Sequence, residues 1–175
     1  MPIRTGGPSP RPAFFLYGYT SCPVKICLAT VHCRPAFIPL ALLYLKACLV
    51  EQQELPDEDV TVLEFGPDCA AEQVSHDVVA TGADVIGLSC YVWNIRAITT
   101  AVARIKAQLP AATVVLGGPE VGPVASATLA RNPAVDVVVK SEGEVPFCQI
   151  VERRQRGCDL DDVAGICFRR GGEII

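Results

Sequence analysis

Positive charge is scarce in this sequence: 15 Lys and Arg stand against 19 Asp and Glu, for a net charge of -4. Phosphate backbones are bound through clustered cations, so the composition argues against nucleic acid as a partner. The one basic run, Arg153-Arg154-Gln155-Arg156, suits the solvated end of a helix, where cations complement the dipole. Also missing is any uninterrupted apolar run of the roughly 20 residues that a bilayer crossing needs. The longest candidate, residues 35–50, begins in a turn and contains Lys46. Arg4 and Arg11 are not followed by an apolar stretch with a cleavage site, so no secretory signal is read. No membrane association and a cytoplasmic location are expected. Paired C-x-x-C units of the zinc type are absent as well, although there are nine cysteines. They are scattered, and small buried hydrophobes in a reducing compartment are the expected role for most of them. Cys22, Cys27 and Cys33 alone lie close enough in sequence to be considered as a cluster site.

What is present is apolar patterning. Half of the 175 residues are hydrophobic, enough for one sizeable core and a single domain with extra tails. The chain is organised around Asp84-Val85-Ile86-Gly87-Leu88-Ser89 and Thr113-Val114-Val115-Leu116-Gly117-Gly118-Pro119-Glu120, two β-branched runs that end in small residues. Between them Ile98, Val102, Ile105 and Leu109 recur at helical spacing. A strand, a crossover helix and a parallel strand follow from this, with Ser89, Cys90 and the Gly117-Gly118 pair at the carboxyl ends, where open parallel sheets bind ligands.

The same alternation extends in both directions. Residues 1–23, rich in glycine and proline at the start and more aromatic from Phe14 to Tyr19, read as a flexible or partly ordered leader. Strands are expected at 24–31, 60–65, 83–90, 113–116 and 135–139, and helices at 40–51, 70–81, 95–109, 121–131 and 145–156. The first helix has a wide apolar face of Leu42, Leu43, Leu45, Leu49 and Val50. The result is an α/β fold: a Rossmann-like or flavodoxin-like doubly wound sheet of five mainly parallel strands flanked by helices. It is expected to span residues 24–157, with 158–175 as a C-terminal extension leading to a missing catalytic module. In that extension a strand at 163–168 and a hairpin turn stop the chain where a partner strand would begin.

Three chemistries of this fold fail on their key residues. A phosphoacceptor domain needs acids after the first strand and an aspartate closing the third, but Val31-His32-Cys33 and Ser89-Cys90-Tyr91 stand there. His32-Cys33-Arg34-Pro35 is not the hydroxyl-rich phosphate loop of a flavodoxin, and no G-x-G-x-x-G follows a strand. What remains is a ligand laid against the edge at the third, fourth and fifth strands, where two glycines remove side chains and Ser89 offers a hydroxyl. Ser89 and the glycines equally admit a plain reading as a strand-end hydroxyl and a tight turn. No Ser/His/Asp or Cys/His set can be placed at one edge, so the chain shows no complete active site.

Ile86-Gly87-Leu88-Ser89, Trp93-Asn94-Ile95, Leu116-Gly117-Gly118-Pro119-Glu120-Val121 and Lys140-Ser141-Glu142-Gly143-Glu144 together resemble the cobalamin-binding domain of cobalamin-dependent radical S-adenosylmethionine enzymes, over most of residues 24–168. The resemblance implies a cobalamin (vitamin B12) held at the carboxyl edge. Its nucleotide tail would be lined by Ser89, Gly117 and Gly118, with Pro119, Glu120, Glu142, Gly143 and Glu144 at the rim. Cys90, Tyr91 and Trp93 join this cofactor-binding set; Tyr91 and Trp93 either stack on a flat ligand or cover the sheet edge. His32 occupies the place of the cobalt-ligating histidine of D-x-H-x-x-G, but Thr30 and Pro35 replace the aspartate and glycine. A histidine without a carboxylate to orient its ring is a poorer ligand. The radical module's C-x-x-x-C-x-x-C appears nowhere, so the iron–sulfur cluster and S-adenosylmethionine would belong to a module supplied in cis or in trans. Methyl transfer or related chemistry is the implied activity. The alternative is a docking module of the same fold that has lost the corrin.

Overall fold

Residues 24–175 are described in the computed structural model; the leader expected at 1–23 lies outside them. The strands are β1 (Ile26–Val31), β2 (Val60–Phe65), β3 (Val85–Ser89), β4 (Thr113–Gly117), β5 (Val137–Val139), β6 (Ile166–Arg170) and β7 (Glu173–Ile174). The helices are α1 (Leu40–Gln52), α2 (Ala71–Ala80), α3 (Ile95–Gln108), α4 (Ala125–Arg131) and α5 (Glu144–Arg156). The expected fourth helix is split, because Pro123 starts a 3-10 turn at Gly122–Val124 before α4 proper.

The sheet runs β2-β1-β3-β4-β5-β6-β7. Its first five strands are parallel, as expected, and β6 and β7 add two antiparallel ones, so the count is seven rather than five. The segment read as an extension folds back onto β5, and β7 supplies the partner strand that the sequence left out. The Phe168 N–H donates to the Ile175 carbonyl, and the Ile175 N–H to that of Phe168, at 3.0 and 2.9 Å. Such a hairpin needs a turn that L side chains rarely adopt, and Gly171 and Gly172 provide it at φ 55° and 94°.

Alternation along each strand sorts the core into two layers. Cys27, Ala29, Ile86, Leu88, Val114, Leu116 and Val138 face α2, α3 and α4. Ile26, Leu28, Val85, Val115, Val137 and Val139 face α1 and α5. The chain moves outward to β2 after β1 and then back across to β3, so α1 and α5 alone cover one face, and their first turns leave a gap over β3 and β4. The wide apolar face of α1 is only partly used: Leu42 and Leu49 are buried, whereas Leu43 is exposed.

Candidate functional site

In β3 the residues Gly87 and Ser89 point to the α1/α5 side, as Val85 does, and Cys90 points away with Ile86 and Leu88. The register then sets Gly87 beside Val115 and Ser89 beside Gly117. A cleft of about 380 Å³ opens over these pairs. Its inner part is lined by Gly87, Val115 and Val139 from the sheet, Leu42 and Leu45 from α1 and Phe147 from α5, and its mouth by Tyr91, Pro119 and residues 140–144. Of the residues expected to bind cofactor, Ser89, Tyr91, Gly117, Gly118, Pro119, Glu142, Gly143 and Glu144 meet here.

The glycines at this edge serve different ends. Gly118 has φ +106°, and a Cβ on it would sit 2.5 Å from the Cys90 carbonyl oxygen, so the turn itself demands glycine. A Cβ on Gly122 would lie 2.6 Å from the Lys140 carbonyl oxygen, and one on Gly87 would lie 2.8 Å from the Phe147 ring. Gly117 differs: its φ is not positive, and a Cβ there would meet only the Val139 Cβ, at 3.9 Å. Nothing in the fold requires a bare backbone at that position. Gly117 therefore leaves a bare shelf of backbone on the cleft wall that the fold itself does not demand.

Polar groups on the inner surface are few and mostly committed. The Gly117 carbonyl accepts from the Cys90 N–H at 2.7 Å, and the Gly118 carbonyl accepts from the Gly122 N–H at 3.1 Å. The Ser89 carbonyl accepts from Asn94 Nδ2 at 3.0 Å. Ser89 itself is 8 % exposed and lines the cleft, and its Oγ makes no hydrogen bond to any described residue. The hydroxyl is thus free to take a partner from the cleft side. At the mouth, Glu144 opens α5, where its carboxylate suits the helix dipole.

Cys90, Trp93, Glu120 and His32 are not brought into the cleft. Cys90 falls on the wrong side of the strand and is fully buried; burial, with a smaller push from the Glu120 carboxylate, raises its thiol to about 12. Trp93 lies outside, stacked on Tyr91 with centroids 4.6 Å apart and planes 4° from parallel, and its Nε1 donates to the Val31 carbonyl at 3.1 Å. Glu120 is exposed beyond the turn. His32 has the carboxylate that its loop lacked, supplied instead by β2: Nε2 lies 3.0 Å from Glu64 Oε2. That contact occupies the ring nitrogen on the strand edge. Among the described residues no group of three or more His, Cys, Asp or Glu is arranged to hold a metal ion.

Several site residues escaped the sequence reading. Gly87 was legible, since alternation puts it on the face of Ser89. Leu42, Leu45, Val139 and Phe147 look like ordinary core residues until the two helices are placed. Asn94, only 1 % exposed, is the brace of this edge. Its Oδ1 accepts from the Tyr91 N–H at 2.8 Å, and its Nδ2 donates to the Val31 and Ser89 carbonyls, both at 3.0 Å, which ties β1 to β3 and fixes the loop carrying Tyr91.

Known proteins are similar to this chain in sequence and in fold. The family described as B12 binding domain matches residues 27–151. The chain is 40% identical over 96 residues to the 2-(S-pantetheinyl)-carbapenam-3-carboxylate methyltransferase of Streptantibioticus cattleyicolor, covering 54% of this chain and 14% of that protein. It is 38% identical over 93 residues to the cobalamin-dependent radical SAM methyltransferase TokK of Streptomyces tokunonensis, covering 53% and 14%. The chain thus matches about a seventh of the length of each relative. In fold it resembles the cobalamin-dependent S-adenosylmethionine radical enzyme OxsB with aqua-cobalamin and S-adenosylmethionine bound, at TM-score 0.73 and 17% identity over 87% of this chain and 22% of that one. It also resembles the radical S-adenosylmethionine methyltransferase TsrM from Kitasatospora setae, at TM-score 0.67 and 17% identity over 86% and 29%.

Proposed function

This chain belongs to the B12 binding domain family, and from that premise we propose that it seats a cobalamin at the carboxyl edge of β3, β4 and β5 for a radical S-adenosylmethionine module that performs methyl transfer. The observation that carries the placement is the bare Gly117 shelf beside the unpartnered Ser89 hydroxyl. A cleft near 380 Å³ sits at the low end of ligand pockets, which run from roughly 300 to 1,000 Å³. It suits a nucleotide-sized tail, with the corrin lying over the mouth.

The chain's own residues then have separable tasks. Gly117 would leave room for the tail beside the backbone, and Ser89 Oγ would be the hydroxyl available to hold it. Leu42, Leu45, Val115, Val139 and Phe147 exclude water from the inner end. Asn94 holds Tyr91 at the mouth, with Trp93 bracing it from outside. Bound cobalamin supplies a cobalt centre able to take part in methyl transfer. The iron–sulfur cluster and S-adenosylmethionine belong to the partner module, in cis or in trans, and residues 24–175 act as the cofactor-bearing unit. The described cysteines are all free thiols, in keeping with a reducing, cytoplasmic setting.

Hydroxocobalamin added to the purified chain should remain bound one to one after desalting, visible in the corrin absorption. A colourless protein would overturn the reading.

A further inference from the structure

We propose that the cleft selects its corrinoid by the lower base, favouring a benzimidazole over a purine, with Phe147 as the stop that fixes how far the base enters. This rests on the cobalamin reading above and goes beyond it.

The inner end of the cleft is built from five apolar side chains, Leu42, Leu45, Val115, Val139 and Phe147, and one hydroxyl, that of Ser89. The main-chain carbonyls nearest that hydroxyl are already engaged: those of Ser89, Gly117 and Gly118 accept from Asn94 Nδ2, the Cys90 N–H and the Gly122 N–H. A base entering here is offered one side-chain donor, the Ser89 hydroxyl. A dimethylbenzimidazole linked to ribose through one ring nitrogen has one remaining ring nitrogen and otherwise only hydrocarbon, so that one donor satisfies it. An adenine has further ring nitrogens and an exocyclic amine. The additional ring nitrogens need donors that the lining does not offer beyond Ser89, and an unpaired buried polar group is what sites of this kind discriminate against.

The depth of the cleft is fixed by a close contact. Phe147 is 2 % exposed, and its Cε2 and Cζ lie 2.8 and 3.0 Å from where a Cβ on Gly87 would be. The ring therefore rests on the bare backbone of β3 and closes the inner end.

The experiment compares three corrinoids on the 175-residue chain: cobalamin, the cobamide with adenine as lower base, and cobinamide, which has no base. Affinities are read from corrin absorbance and from quenching of the single tryptophan, Trp93. Cobalamin should bind about tenfold or more tighter than the adenine cobamide, the cost of leaving about one polar group unpaired. Val139→Thr keeps the shape of the wall and adds a hydroxyl beside the shelf, so it should narrow that ratio by severalfold. Phe147→Ala should narrow it too where the variant folds; Val139→Thr keeps the test decisive where it does not. Equal affinity for the two cobamides, both tighter than cobinamide, would overturn base selection and leave cobalamin binding standing. Failure of all three to bind would overturn both.

Discussion

Substituting the two adjacent glycines separates a residue kept for a ligand from a residue kept for the fold. At Gly117 an added Cβ meets only the Val139 Cβ at 3.9 Å, which is ordinary contact, and the backbone is extended strand. Gly117→Ala should therefore leave stability unchanged or raise it by up to about 1 kcal/mol through the lower entropy of the unfolded chain. For a domain of this size that is a rise of about 2–4 °C at most. At Gly118 the same change forces φ +106° on an L residue and sets a carbon 2.5 Å from the Cys90 carbonyl oxygen. The backbone strain alone costs about 1–3 kcal/mol, a fall of roughly 2–12 °C at the same conversion. Melting followed by circular dichroism measures both, and cobalamin titration supplies the second axis. Gly117→Leu should fold and melt near the parent and lose corrin binding by a factor of about a hundred or more, since its side chain would fill the shelf that the tail needs. A Gly117→Leu protein that binds cobalamin as the parent does, or a Gly117→Ala protein as unstable as Gly118→Ala, would refute the distinction.

Three further expectations follow from the same geometry. Asn94→Ala should cost about 2 kcal/mol in a urea melt, because it strands backbone groups of Tyr91 and Ser89 while the Val31 carbonyl keeps Trp93 Nε1; a loss under about 1 kcal/mol would show that the brace is idle. Burial raises the thiols of Cys27 and Cys90 to about 12, opposed slightly at Cys27 by the nearby Thr81 side chain and aided at Cys90 by Glu120. Both are neutral in either state below the unfolded pKa; between there and about 12 only the unfolded chain ionises, so stability falls as pH rises, by about 1.4 kcal/mol per pH unit per cysteine. The Cys27→Ala/Cys90→Ala double variant should flatten that slope in urea melts above pH 9, and an unchanged slope would count against it. Finally, His32→Ala should leave the cobalt(II) electron paramagnetic resonance spectrum of the loaded protein unchanged, since His32 Nε2 is already paired with Glu64 Oε2 at 3.0 Å; loss of an axial nitrogen signal in the variant would mean that the histidine turns to the metal.

The sequence by itself determined the element order, the parallel sheet and the edge that carries the site, because these depend on local periodicity and on small residues at strand ends. Ser89 and the Gly117-Gly118 pair could be placed from spacing alone. The walls could not: Leu42, Leu45 and Phe147 are apolar positions on helices far apart in sequence, and nothing local distinguishes a side chain that lines a cleft from one that fills a core. The alternation that was legible also settles Cys90 against the cleft, a step that needed the register of β3 on β4 to become certain. Only the tertiary structure separated Gly118, which the turn requires, from Gly117, which it does not, because the difference lies in what a methyl group would touch. That neighbour is a carbonyl oxygen at 2.5 Å in one case and the Val139 Cβ at an ordinary 3.9 Å in the other, and it is set by packing across the chain.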